Sequence, residues 1–245
     1  MASEKAILII GAGGLGCPAA LALVRSGFRR LILCDGDVVE PSNLHRQILL
    51  LPGDLGRNKA ETAARRLREI DPAAIIDVHR ERLTAETARS LLSKCDFVID
   101  ATDSAPSKFL VNDACVLFGK PFAHAGVVGF EGQLLTVLPG ESACLRCIFP
   151  EPPAPGEVAS CTEAGILGPL AGIAGALQAE EALRLLRGET PRFVDRLFTI
   201  DLVTPRFRPV AVRRSPDCPV CGPSATIRSL EPARAPCDRP IGANS

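Results

Sequence analysis

The stretch Gly11-Ala12-Gly13-Gly14-Leu15-Gly16 holds glycines at the spacing G-x-G-x-x-G, between the apolar run Leu8–Ile10 and an alanine-rich segment. That order predicts a strand, a tight turn and a helix. Glycine lets the backbone approach a phosphate closely, and a helix start supplies unpaired N–H groups and a positive dipole end. A ligand-free tight turn would show the same pattern, so neighbouring chemistry has to decide. Asp35 closes the next apolar run, at the distance where dinucleotide-binding units place an acidic residue on the ribose hydroxyls. Gly11, Gly13, Gly14, Gly16 and Asp35 alone would suit a nicotinamide cofactor. Asn43, Arg46, Gln47 and Lys59 follow the ribose-binding strand, and Asp103 follows a later one. Two cations are poorly motivated beside a neutral nicotinamide, but they suit a triphosphate whose charge must be neutralised. A carboxylate in the same pocket suits Mg²⁺, which takes one or two carboxylates plus phosphate oxygens; Asp103 is the candidate ligand.

Cysteines form the second constellation. Cys144-x-x-Cys147 and Cys218-x-x-Cys221 are two knuckles of ligand spacing, and four thiolates satisfy a tetrahedral Zn²⁺ with no open position. The competing readings are two unrelated core pairs or redox C-x-x-C motifs. Cys161 stands apart, after a Pro/Gly-rich loop and before a helix expected to begin near Gly165. A thiol near a helix N-terminus tends toward a lower pKa and greater nucleophilicity. Cys17, Cys34, Cys95 and Cys115 sit in apolar segments and read as core residues; Cys237 has no assigned role. His45, His79 and His124 form no ligand spacing and read as structural.

The elements that must position these residues alternate. Ala6–Ile10 reads as a strand, followed by a helix to Gly27, the strand Arg30–Asp35, a helix over 58–71 and the strand 75–83. A helix over 85–95, the strand 96–102, a helix over 108–119 and the strand 121–128 come next. Repeated β-α-β units with right-handed crossovers predict an α/β fold, a doubly wound Rossmann-like and mostly parallel sheet. Ligands in such sheets sit beyond the carboxyl ends of the strands, where Gly11, Asp35 and Asp103 all lie. Past Gly129 the strands 131–139, 195–202 and 206–214 read as an antiparallel C-terminal addition carrying the four-cysteine zinc site. The apolar stretch Ala164–Ala179 reads as a buried helix. Residues 1–222 are expected to form one domain, with a nucleotide-binding half to about 128 and a second half over 129–222. Residues 223–245 are expected to be a disordered tail.

Composition narrows the function classes. The chain has 245 residues, 47% hydrophobic and 23% charged, as an ordinary globular protein does. Lys+Arg and Asp+Glu each total 28, so no global field favours nucleic acid or an anionic membrane. No signal peptide and no membrane-length apolar run stands in the sequence, and a cytoplasmic location is expected. Ten cysteines in such a chain argue for ligands, thiols or core residues over a disulfide framework.

The motifs GAGGLG, DGDVVEPSNLHRQ, GRNK, DATDS, CLRC, SCTEAGILGP and CPVC stand in the order and approximate spacing of the ThiF/MoeB/HesA family. The chain resembles these bacterial relatives of the ubiquitin-activating enzymes from about Ala6 to Gly222. The resemblance implies ATP-dependent adenylation of the C-terminal Gly-Gly of a ubiquitin-like sulfur-carrier protein, ThiS- or MoaD-like, with release of pyrophosphate. It implies that Gly14 and its turn lie against ATP, that Asp35 binds the ribose, and that Asn43, Arg46 and Lys59 contact phosphates. It further implies that Asp103 binds Mg²⁺ near the α-phosphate, with Asp37, Ser42, Leu44, Gln47 and Ser104 also at the nucleotide. It adds a zinc at the four cysteines, a homodimer, and a part for Cys161 in sulfur transfer or thioester chemistry.

Three departures from the family pattern stand out. An Arg-Tyr-x-Arg-Gln motif, whose arginine reaches the partner subunit's ATP, is not found in these residues. Ser104 and Lys108 stand where asparagine and arginine are usual. The expectation is that another chain supplies the arginine or that Lys108 partly compensates. The alternative function is a non-catalytic, zinc-containing homologue that binds ATP or a carrier protein.

Overall fold

A computed structural model describes residues 5–154 and 165–230. Cys161 and Cys237 lie outside the described residues. The strands are β1 (Ile7–Ile10), β2 (Arg30–Cys34), β3 (Ile75–His79), β4 (Phe97–Asp100), β5 (Phe122–Val128), β6 (Glu131–Val137), β7 (Arg196–Asp201) and β8 (Arg206–Ala211). They form one sheet in the order β3-β2-β1-β4-β5-β6-β7-β8. The first five are parallel, and β6, β7 and β8 pair antiparallel. The expected mostly parallel sheet with antiparallel C-terminal strands is therefore present. Strand order reverses between β1 and β4, and the carboxyl ends of those strands make the crevice where such sheets bind ligands.

Helices α1 (Gly16–Arg25), α2 (Lys59–Ile70), α3 (Ala85–Leu92), α4 (Ala105–Leu117), α5 (Leu145–Ile148) and α6 (Gly168–Leu186) cover the sheet. Every residue of β1 and β4 is buried, as expected of parallel strands covered on both faces. Alternate side chains separate into two cores. Ile7, Ile9, Phe97 and Ile99 meet Leu23 of α1, Leu67 of α2 and Ala174 of α6. Leu8, Ile10 and Val98 meet Leu91 of α3 and Val111 of α4.

Caps fix where the helices begin. Asn58 accepts from Glu61 N at the start of α2, Thr84 from Thr87 N at α3, and Ser104 from Ser107 N at α4. The helix expected from Gly165 begins instead at Gly168, because Ile166 first makes a parallel bridge with Gly129 and Leu167 N donates to Gly129 O. Order also continues past residue 222: Ile227 N donates to Pro219 O at 2.8 Å, and Ile227 and Leu230 pack on the second core. Among the described residues no helix is long and apolar enough to cross a membrane.

Candidate nucleotide site and cysteine cluster

The parallel register sets the site. Ile10 of β1 is level with Cys34 of β2 and Asp100 of β4, so the chain leaves all three strands at one height. Gly11 N donates to Cys34 O at 2.8 Å, and Ala101 N to Ile10 O at 2.9 Å. Gly11 turns the chain with φ +100, a conformation side chains rarely adopt. A methyl group at Gly16 would lie 1.8 Å from Gly11 O, so α1 can start this close to β1 only with glycine there. The expected strand, turn and helix are all present.

The DGDVVEPSNLHRQ segment folds back over this turn. A methyl group at Gly14 would come within 3.2 Å of Arg46 Cγ and Cδ, and one at Gly13 within 3.5 Å of Gln47 Nε2. Arg46 and Gln47 therefore lie directly against the glycine loop. Arg46 Nη1 donates to Ser42 O at 3.1 Å, within a 3₁₀ turn over Pro41–Asn43. Asn43 and Gln47 are buried, and Asn43 Oδ1 and Gln47 Oε1 have no partner among the described residues. Buried amide groups left open beside a glycine loop fit a ligand that supplies their partners. Leu44 is half-buried against the first core, and Ser42 is exposed.

Asp35 is held in place by the loop itself. Ala12 N donates to its Oδ2 at 2.7 Å and Asp37 N to its Oδ1 at 2.8 Å. Burial pushes its carboxyl above the usual range, against those two N–H groups and the Lys59 charge. Asn58 Nδ2 donates to Asp35 O at 2.9 Å, which ties the start of α2 to this loop and brings Lys59 into it. Lys59 is 8% exposed and its Nζ donates to Asp37 Oδ2 at 3.3 Å. Arg82, after β3, donates to Asp37 Oδ1 at 2.7 Å. Partial burial pushes Asp37 up, but the Arg82 hydrogen bonds and the Lys59 charge outweigh it and hold the carboxyl below the usual range.

Asp103 is exposed on the β4–α4 connection, three residues past the Asp100 that pairs with Ile10. Hydrogen bonding to Asp37 holds the Arg82 proton more firmly than usual, with Asp103 and Asp35 adding to the effect, so Asp103 acts on the same charged cluster. Ser104 Oγ accepts from Ser107 N at 3.3 Å and donates to Ser107 Oγ at 2.8 Å, so it is already engaged as the cap of α4.

Sequence reasoning missed two groups. Arg82 carried no motif signal. Asp100, Thr102 and His124 form a polar network with Lys108, whose place the sequence had marked without its partners; only a charged residue ending an otherwise apolar strand, Phe97–Asp100, hinted at that network.

The four knuckle cysteines converge. Their Sγ atoms all lie within 4.8 Å of one another, with Cys144–Cys218 and Cys144–Cys221 both at 3.6 Å and Cys147–Cys221 at 3.4 Å. These separations are far beyond a disulfide bond of about 2 Å, so the set could hold a metal ion. α4 fixes the first knuckle: Asn112 Oδ1 accepts from Leu145 N at 2.9 Å, and Arg146 bonds Asp113 at 2.7 and 2.8 Å.

The ThiF family pattern matches residues 2–220. Over 239 residues the chain is 42% identical to the sulfur carrier protein adenylyltransferase of Thermus thermophilus, covering 96% of this chain and 88% of that protein. It is 40% identical over 216 residues to the SAMP-activating enzyme E1 of Haloferax volcanii, covering 88% and 80%. The adenylyltransferase and sulfurtransferase MOCS3 of Bos taurus is 42% identical over 230 residues, which span 94% of this chain but 50% of that protein. Among solved structures, E. coli MccB with ATP superposes with a TM-score of 0.78 at 23% identity, covering 90% of this chain and 68% of that one, a likeness of fold.

Proposed function

The chain belongs to the ThiF family, and on that premise we propose that it is an adenylyltransferase activating the C-terminal carboxylate of a ubiquitin-like sulfur-carrier protein with ATP and releasing pyrophosphate. The observation that carries this is the packing of Arg46 and Gln47 on Gly13 and Gly14, beside Asp35, Asp37 and Lys59, at the carboxyl ends of β1 and β2. A nicotinamide would leave those cations without a purpose.

In this reading the Gly11–Gly16 backbone receives the nucleotide, and Asp35, pre-aimed by two backbone N–H groups, accepts from the ribose hydroxyls. Arg46 and Lys59, with Asn43, face the phosphates, while Ser42, Leu44, Gln47 and Ser104 shape the surrounding wall. Lys59 starts bound to Asp37, and Arg82 on the other oxygen of Asp37 lets that carboxylate keep a partner when Lys59 turns to phosphate. Asp103 would hold Mg²⁺, which neutralises charge on the phosphates as a Lewis acid. An anionic carboxylate attacking phosphorus needs cations placed in advance, and removing one such group costs on the order of 10²–10³ in rate.

The four cysteines would hold Zn²⁺. Zn–S bonds of about 2.3 Å in a tetrahedron set S···S edges near 3.8 Å; Cys144 lies 3.6–3.9 Å from the other three sulfurs, Cys147 lies 3.4 Å from Cys221, and all four sulfurs fall within 4.8 Å of one another. The zinc would staple the segment after β8 to α5. Cys161, placed by sequence alone, would act in a following step, either attacking the acyl-adenylate to form a thioester with release of AMP or carrying sulfane sulfur received from a donor persulfide that leaves as a thiol, and the working unit would be a homodimer.

The test is ATP–pyrophosphate exchange in the presence of candidate carriers, with mass spectrometry of the carrier for an acyl-adenylate. Asp103→Ala is expected to abolish exchange with the fold intact. Exchange that survives this change removes Asp103 from the reaction, and no adenylate with any carrier rejects the function.

A further inference from the structure

Asp100 is fully buried at the end of β4. A carboxylate cut off from water needs compensating donors, and this one has four. Thr102 N and Oγ1 reach Oδ1 at 3.1 and 2.6 Å, while His124 Nδ1 and Lys108 Nζ reach Oδ2 at 2.8 and 3.5 Å. Burial pushes the Asp100 carboxyl up, but Lys108, His124 and Thr102 overcome it and hold it at about 2. Burial pushes His124 down, so its imidazole is neutral at pH 7. An ionised acceptor at Nδ1 sets the tautomer, with the proton on Nδ1.

Lys108 connects this network to the site. Its backbone N donates to Ser104 O at 3.0 Å, which roots it beneath the Asp103–Ser104 turn. A methyl group at Gly126 would lie 4.0 Å from Lys108 Cε and 3.6 Å from Gln133 Nε2, so the stem runs beside β5 and β6. An ammonium has three N–H groups. One goes to Asp100 and one to Ala125 O, while the side chain keeps 14% exposure.

We propose that Asp100 and His124 are positioning residues: the imidazole fixes the Asp100 carboxylate, which holds the Lys108 ammonium with one N–H facing the space between the Asp103–Ser104 turn and Gly126–Gln133. There the carrier's carboxylate and the nucleotide's α-phosphate would meet, so the proposal rests on the adenylation reading. The physical gain is preorganisation. A free lysine side chain samples many rotamers and spreads its charge over many positions. Two fixed acceptors confine it before the reaction, when confinement lowers the barrier.

Two measurements on the full-length, metal-loaded protein test this. The first is the acetylation rate of Lys108 by acetic anhydride, read by peptide mass spectrometry against exposed Lys94. The expected rate is at least about tenfold below that of Lys94, rising severalfold in His124→Leu and returning toward wild type in His124→Asn, whose amide restores a donor near Nδ1. The second is carrier-dependent pyrophosphate exchange. His124→Leu is expected to lower kcat about tenfold while KM for ATP stays within about twofold, with His124→Asn recovering most of the loss. Equal Lys108 labelling in all three proteins, or equal impairment of the Leu and Asn variants, would overturn the proposal. Absence of exchange in the wild type with every carrier would reject the adenylation reading instead, and the labelling would still decide whether His124 holds Lys108. If His124→Leu fails to fold, Thr102→Val removes a different donor from the same carboxylate and is read in the same two ways.

Discussion

Acidification below pH 6.5 should destabilise the protein through one buried histidine. His124 is 1% exposed, and burial keeps its pKa below the ordinary 6.5; the Lys108 charge acts in the same direction, and the Asp100 carboxylate opposes both. In the unfolded chain the imidazole titrates near 6.5. The folded state therefore binds fewer protons than the unfolded state over the interval between the two values. The stability that this group contributes is complete above pH 6.5 and is lost as pH falls toward the folded pKa, at up to about 1.4 kcal/mol per pH unit. That is a sizeable share of a total stability of about 5–15 kcal/mol. Asp100 acts lower on the scale: its carboxyl is held at about 2, below the ordinary 3.8, so the stability it contributes is present above pH 3.8 and lost as pH drops to 2. The assay is urea denaturation of wild type and His124→Asn at several pH values from about 7.5 to 5.5. Comparing the two proteins cancels the other histidines and the thiolates of the cysteine cluster, which both share. The wild-type curve should fall more steeply than the His124→Asn curve as pH drops below 6.5, because only the wild type carries the cost of charging a buried imidazole. Parallel curves would refute the argument that His124 is held neutral by burial.

Glu181 of α6 is 1% exposed and accepts from Thr136 Oγ1 at 2.6 Å, Arg192 N at 2.8 Å and Phe193 N at 2.9 Å. Glu181→Gln keeps the shape but turns an N–H toward an N–H, so it should cost about 3 kcal/mol, read as a lower urea midpoint at unchanged m. Chelation of the protein should release one zinc per chain and lower Tm, with new proteolytic cuts between β8 and residue 230, because Cys218 and Cys221 then lose their link to Cys144 and Cys147; fresh protein without zinc would reject the assignment.

The glycine turn was legible because its signal is local: Gly11–Gly16 must turn, and only glycine fits where Gly16 meets Gly11 O. The parallel strands were legible because strands buried on both faces read as unbroken apolar runs, as Ile7–Ile10 does. The two C-x-x-C knuckles, 74 residues apart at Cys144 and Cys218, were legible because four thiols with ligand spacing have few other uses. The start of α6 was misplaced by three residues because a bridge to distant Gly129, invisible in local propensity, occupies Ile166.

By itself the sequence determined the α/β architecture, the glycine turn, the acidic Asp35 at the end of β2, the cation-bearing segment and the four thiols of ligand spacing. Each follows from residue type and short-range spacing, which backbone sterics and hydrophobic periodicity translate directly into structure. Only the tertiary structure decided which charges meet: Arg82 and Lys59 on Asp37, and His124 and Lys108 on Asp100. Partners of that kind are chosen by distance and by exclusion of water, and neither exists until strands far apart in the chain lie side by side.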